Sequence, residues 1–213
     1  MTVKIAAGIC TYSDAKGLDR LLSTLADHVD LSIIIHGSFP NFPQDPHSLD
    51  DTLAVIKQYS KSNIWMIDMG KPQLEPISRQ MYFEAAYGYD FCFVIDSDEY
   101  VSDGADWDIF RGNLEIITDT QSPFYIYDVM FDGPPHHAWP RPRLFYQPWK
   151  IKYGGLHIQW ILPDGKKVTS LSDSRQIIEG IRISHDISYR PESRTEARQT
   201  YRNWLAQYET PLV

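Results

Sequence analysis

The residues best able to do chemistry in this chain stand together at Asp96-Ser97-Asp98-Glu99. They close an apolar and aromatic run, Phe91-Cys92-Phe93-Val94-Ile95, of the kind that forms a strand buried on both faces. In an open α/β sheet, ligands collect beyond the carboxyl ends of the strands. Carboxylates at that point are poorly placed for packing and well placed to hold a hard divalent cation through oxygen. Asp96 and Asp98, one residue apart, could supply one direct and one water-mediated ligand. The plainer alternative is that the acids solvate a strand end, or that one of them caps a following helix. A cation needs a further ligand from elsewhere in the chain. His185, in Ile183-Ser184-His185-Asp186, follows a short apolar strand and is a candidate, although a lone histidine more often makes a structural hydrogen bond.

The elements that must carry these residues are legible as patterns. Residues 3–12 are apolar and β-rich and predict a first strand. Over 14–29, Leu18, Leu21, Leu22, Leu25 and Val29 fall at helical spacing, with Ser13 or Asp14 as cap. Strands are then predicted at 31–35 and 64–67, and helices at 49–59 and 77–87, ahead of the Phe91 strand. Such alternation predicts a parallel sheet with helices on both sides. No Gly-rich phosphate loop follows the first strand: Cys10-Thr11-Tyr12-Ser13-Asp14 is neither a dinucleotide fingerprint nor a Walker sequence. After Val101 the pattern changes. A helix over 107–117 gives way to short strands at 124–131, 143–147, 158–162 and 181–185, with a turn at Pro163-Asp164-Gly165. This predicts antiparallel sheet beside the parallel half, and a final amphipathic helix over 192–208.

The totals narrow the partners. With 213 residues the chain has room for one substantial core. Its net charge of −8 argues against nucleic acid held mainly through phosphate contacts. Aromatic residues make up 13%, rich enough to serve either the core or stacking on flat ligands. Cys10 and Cys92 lie inside apolar runs and read as reduced core residues, with no disulfide partner. The chain enters a strand directly from Met1 and holds no apolar run of about 18 residues, so neither a signal peptide nor a membrane span is expected. The expected setting is the cytoplasm.

In the order of its segments the chain resembles the family 2 glycosyltransferases, which have the nucleotide-diphospho-sugar transferase (GT-A) fold. Five pieces carry the resemblance: the first strand ending in Thr11-Tyr12; Arg79-Gln80 running into Ala85-Ala86; Phe91 to Tyr100, similar to the family's strand ending in Asp-Ala-Asp-Glu; Pro142-Arg143-Leu144-Phe145 with Tyr153-Gly154-Gly155-Leu156-His157; and Ile183-Ser184-His185 before an Arg-rich segment with Arg202-Asn203. The resemblance implies a single α/β domain over 1–213. Its half at 1–101 would bind nucleotide, and its half at 102–213, with a smaller antiparallel sheet and the C-terminal helix, would bind acceptor.

It also implies a metal-dependent enzyme that moves a sugar from a nucleotide-diphospho-sugar, with UDP or GDP as the nucleotide, to an acceptor hydroxyl with inversion. Asp98 would bind Mn2+ or Mg2+ directly, Asp96 would sit near the ribose or a metal-bound water, and His185 would help at the metal or diphosphate. Thr11 and Tyr12 would face the nucleoside, and Arg79 the donor sugar or diphosphate. The acceptor is open: a glycan, a protein or a modified nucleobase.

Two departures from the family stand out. The acid often found after the second strand is replaced by Ile35-His36-Gly37-Ser38, and the family's His-Glu pair reads His157-Ile158. Ile158 cannot take a proton from an attacking hydroxyl, so the expected base passes to His157 or Asp132. The segment from Asp132 to Pro140, with Trp139 able to stack, would face the acceptor. Its adjacent His136 and His137 lack the spacing of a zinc site. Two other readings remain from the sequence: a nucleotidyltransferase, and a nucleotide- or sugar-binding module without activity.

Overall fold

The computed structural model describes residues 2–38, 48, 50–59, 63–132, 139–154, 159–169, 175–185 and 203. The first half follows the predicted alternation: β1 (Ile5–Thr11), α1 (Ala15–Leu25), β2 (Leu31–His36), α2 (Thr52–Gln58), β3 (Ile64–Asp68), α3 (Glu75–Ala85) and β4 (Phe91–Val94). The second half adds β5 (Glu99–Val101), α4 (Trp107–Asp119), β6 (Ile126–Asp132), β7 (Trp139–Tyr146), a 3-10 turn at Pro148–Lys150, β8 (Lys152–Gly154), β9 (Gln159–Ile161), β10 (Lys167–Thr169) and β11 (Gln176–His185).

Eight strands form one sheet in the order β3-β2-β1-β4-β7-β6-β11-β5, and β10-β9-β8 form a small antiparallel sheet. The α/β class and the separate small sheet agree with the sequence expectation. The later strands, however, extend the main sheet. β7 is antiparallel to β4 and to β6, β11 runs parallel to β6, and β5 is antiparallel to β11. Hence β6 and β11 run in the same direction as β1 to β4 and finish at the same edge.

Side chains divide between two faces as period-2 alternation requires. Ile5, Ala7 and Ile9 of β1 join Phe91 and Phe93 of β4 in a core against α1, α2 and α4. Ala6, Cys92 and Val94 turn the other way, against Tyr82 and Phe83 of α3 and Trp160 of the small sheet. Cys10 and Cys92 are free thiols, and burial pushes Cys10 up to about 12, which keeps it protonated and unreactive at neutral pH.

β7 begins earlier than the predicted 143, and its prolines explain how. The last pair with β4 is Phe93 with Leu144, so the segment from Trp139 to Pro142 pairs with β6 alone. A proline without an N–H is tolerated where one side of a strand lacks a partner.

β11 slips register between Ile178 and Arg182, and the bulge inserts Gly180 at φ +103°. The Gly180 carbonyl accepts from the Asp106 N–H at 2.7 Å, and a Cβ on Gly180 would lie 2.5 Å from the Phe110 nitrogen. Gly104, at φ +83°, has open space instead. Gly180→Ala combines left-handed strain with steric overlap and is expected to cost more than about 2 kcal/mol. Gly104→Ala, which carries strain alone, should cost less; urea denaturation of the two variants checks the order.

Candidate active site

The carboxyl edge of the main sheet collects the polar residues. Thr11, His36 and Asp68 end β1, β2 and β3 in register with one another. Asp96, Ser97 and Asp98 follow β4, Asp132 ends β6, and His185 ends β11 opposite Glu99 of β5. The strand signal at Phe91 and the acid run after it thus sit where an α/β sheet gathers ligands.

Two arginines organise the acid turn. Arg79 of α3 is buried and donates from Nε to Glu75 at 2.8 Å, from Nη1 to the Tyr82 hydroxyl at 3.2 Å, and from Nη2 to Asp96 at 2.7 Å. Burial opposes its charge, but Asp96 and Glu75 outweigh that and keep the guanidinium protonated. Arg143 of β7 donates to Glu99 and lies 3.6 Å from the second oxygen of Asp96. Here too burial works against the cation, and Glu99 and Asp96 raise it above the ordinary arginine range. The backbone closes the turn: the Glu99 N–H donates to the Asp96 carbonyl, and the Asp96 N–H to the Glu99 carboxylate, both at 2.9 Å. Burial pushes the Glu99 carboxyl above the usual carboxylate range, with Arg143 pulling the other way.

Asp98 faces a different partner. Its Oδ2 lies 3.4 Å from Nε2 of His185, with the Asp98 side chain buried and the imidazole partly exposed. A carboxylate oxygen and a ring nitrogen can both ligate a divalent cation, and at 3.4 Å they stand wider than the about 3.0 Å between adjacent ligands of an octahedral ion with bonds near 2.1 Å. Among the described residues no group of three or more His, Cys, Asp or Glu is arranged to hold a metal. Among the described residues, four carboxylates, Glu75, Asp96, Asp98 and Glu99, stand here with the two guanidiniums.

The other expected residues are placed as follows. Thr11 is buried, and its hydroxyl has no hydrogen-bond partner among the described residues. Tyr12 is 5% exposed, its ring largely enclosed. Asp132 lies beside Ser184 in the β6–β11 ladder. It accepts from the Ser102 hydroxyl at 2.7 Å and from Arg182 at 3.1 Å. A cavity of about 500 Å³ opens between those two partners, Met130 and Gly180. His157, the loop over 133–138 and the helix predicted over 192–208, apart from Asn203, lie outside the described residues. At the end of β2, where no acid stands, the buried His36 has Asp68 of β3 3.7 Å from its Nδ1 and the Ser48 hydroxyl 2.8 Å from its Nε2. Spacing along the chain could not show this, because it depends on the pairing of β2 with β3.

The sheet order, with its acid turn at the carboxyl edge, defines a GT-A-like fold. No family model matches the chain, and no curated protein does. Among solved structures, glucosyl-3-phosphoglycerate synthase from Mycobacterium tuberculosis in complex with Mn2+ and UDP-glucose superposes with a TM-score of 0.51 at 12% identity, over 98% of this chain and 80% of its own. S. aureus TarS 1-349 gives a TM-score of 0.45 at 18% identity, over 63% of this chain and 39% of its own. The chain therefore spans about two fifths of the TarS structure. At these identities the likeness is one of fold.

Proposed function

We propose that this chain is a glycosyltransferase that takes a nucleotide-diphospho-sugar donor together with a divalent cation, Mn2+ or Mg2+. The observation that carries the reading is the convergence of Asp98 and His185 at the carboxyl edge of the main sheet. The fold neighbour captured with Mn2+ and UDP-glucose supports it, with UDP as the first nucleotide to test.

Asp98 and His185 hold the cation, which when bound offsets the charge of a departing nucleoside diphosphate. Asp96, anchored by Arg79 and Arg143, fixes the turn and orients an oxygen toward the ribose or a cation-bound water. Thr11 and Tyr12, both buried, mark the nucleoside end of the same edge. Asp132 or His157 takes the proton from the acceptor hydroxyl in an inverting displacement. The acceptor is a glycan, a protein or a modified nucleobase, and the half of the chain after residue 101 receives it. No helix among the described residues is long and apolar enough to cross a membrane, and the cytoplasm is the proposed setting.

One observation favours a second reading. Asp132 already engages Ser102 and Arg182, which lowers its availability as a base and suits a binding module without turnover. A thermal-shift screen of UDP, GDP and CDP and their common sugars, with and without Mn2+, tests the leading reading. A shift that needs both one nucleotide and Mn2+ is expected, growing with ligand as ln(1 + [L]/Kd). No shift with any of them would overturn it. Slow hydrolysis of the sugar nucleotide separates an enzyme from a binding module, which would leave the donor intact.

A further inference from the structure

We infer that Asp14 is a positioning residue for the cation ligand Asp98, acting through Ser97. The inference rests on the proposed role of Asp98 and His185.

Asp14 occupies the N-cap of α1, where aspartate ordinarily accepts from a backbone N–H of the first turn. Its side chain makes no such capping bond. Its Oδ2 instead accepts from the Ser97 hydroxyl at 2.6 Å, across the interior from the first strand–helix junction to the acid turn. Both residues are almost fully enclosed, Asp14 at 4% and Ser97 at 1% exposure. A short hydrogen bond from a hydroxyl to a buried carboxylate is among the stronger kinds.

Gly17 seals the junction. A Cβ at this position would stand 2.5 Å from the Ser97 carbonyl oxygen and 2.7 Å from Oδ1 of Asp14. The first turn of α1 therefore lies directly on the peptide that links Ser97 to Asp98. Asp14 is tied down behind as well, since its N–H donates to Thr52 Oγ1 at 3.0 Å, at the start of α2. Ser97 is thus gripped at its hydroxyl by Asp14 and crowded at its carbonyl by Gly17. Asp96 on one side is held by the arginines, and Asp98 on the other meets His185. With its neighbour fixed on two sides, Asp98 has little freedom left in where it directs its carboxylate.

Partners one step removed from a metal commonly change its affinity by 10- to 100-fold when removed. Mn2+ alone is the probe, followed through the free-ion electron paramagnetic resonance signal, on the parent chain and on Ser97→Ala, Asp14→Ala, Asp14→Asn and Asp98→Ala. Ser97→Ala and Asp14→Ala should each weaken binding by about 10-fold. Asp14→Asn keeps an acceptor for the Ser97 hydroxyl and should recover most of that loss. Urea melts of the metal-free variants supply the second readout. Lower stability with parental Mn2+ affinity in Ser97→Ala and Asp14→Ala, while Asp98→Ala loses binding, would overturn the positioning role and leave the cation site standing. Parental affinity in Asp98→Ala would overturn the cation site itself, and the positioning role with it. Should Asp14→Ala fail to fold, Ser97→Ala, which removes a single oxygen, decides the question.

Discussion

Asp98→Ala is expected to abolish Mn2+-dependent binding of the sugar nucleotide and to lower transfer by about 10²- to 10³-fold, the scale on which loss of one group that stabilises transition-state charge is felt. Asp98 sits at the carboxyl edge with its oxygen 3.4 Å from His185. Removing it takes away the carboxylate oxygen of the pair, the kind of ligand that a hard cation prefers. Because the Asp98 side chain is buried but not bonded to either organising arginine, the fold should survive the change. Calorimetric titration of the variant with UDP and Mn2+, beside a far-ultraviolet spectrum, checks both halves of the expectation. Parental binding would move the cation site elsewhere. His185→Asn, by the same geometry, should weaken the metal dependence less, since a carboxylate remains.

Arg143→Met should destabilise the protein by about 3–5 kcal/mol at pH 7, the range for leaving one partner of a buried ion pair behind. Glu99 is the group left behind, with Asp96 close to it. The sign of the pH dependence follows from Glu99. Burial already raises its carboxyl above the usual carboxylate range in the parent, against the pull of Arg143. The folded state therefore keeps this proton when the unfolded chain has lost it. Stability from this group falls as pH rises through the interval between the unfolded and folded values. Without Arg143 the folded value moves higher and the interval widens. The deficit of the variant should thus be largest at neutral pH and shrink as the pH is lowered toward the ordinary glutamate range. Urea denaturation of parent and variant at neutral and mildly acidic pH measures this. A deficit that stays constant with pH would show that lost packing, not charge, dominates at Arg143.

The two halves of the fold differ in how readily they could be read. α1 was legible because Leu18, Leu21, Leu22 and Leu25 repeat at helical spacing, and all four are buried. β4 was legible because Phe91 to Val94 are apolar without interruption and buried on both faces. β5, β8, β9 and β10 are three residues each, short for alternation to register, and only β9 falls inside a predicted strand, at 158–162. The continuation of the main sheet through β7, β6 and β11 was not legible either, since a strand pattern states which face is apolar and not which neighbour it pairs with.

The site divides in the same way. The acids after β4 announce themselves by breaking an apolar run. The contacts that tune them come from Arg79 on α3 and Arg143 on β7, and no spacing along the chain encodes those meetings. Asp14 shows the limit most plainly: its position reads as a helix cap, while its carboxylate serves Ser97 instead.

The pairing of β11 with β5 also bears on the order in which the protein assembles. His185 lies opposite Glu99, and Ile183 opposite Val101, so the ladder closes the whole of the intervening chain into a loop. Contacts of such long sequence separation form late, because their closure entropy must be met before they reward the fold. Asp98 and His185 therefore come together only when β11 docks. A chain in which β11 has not docked is expected to lack the Asp98–His185 pair.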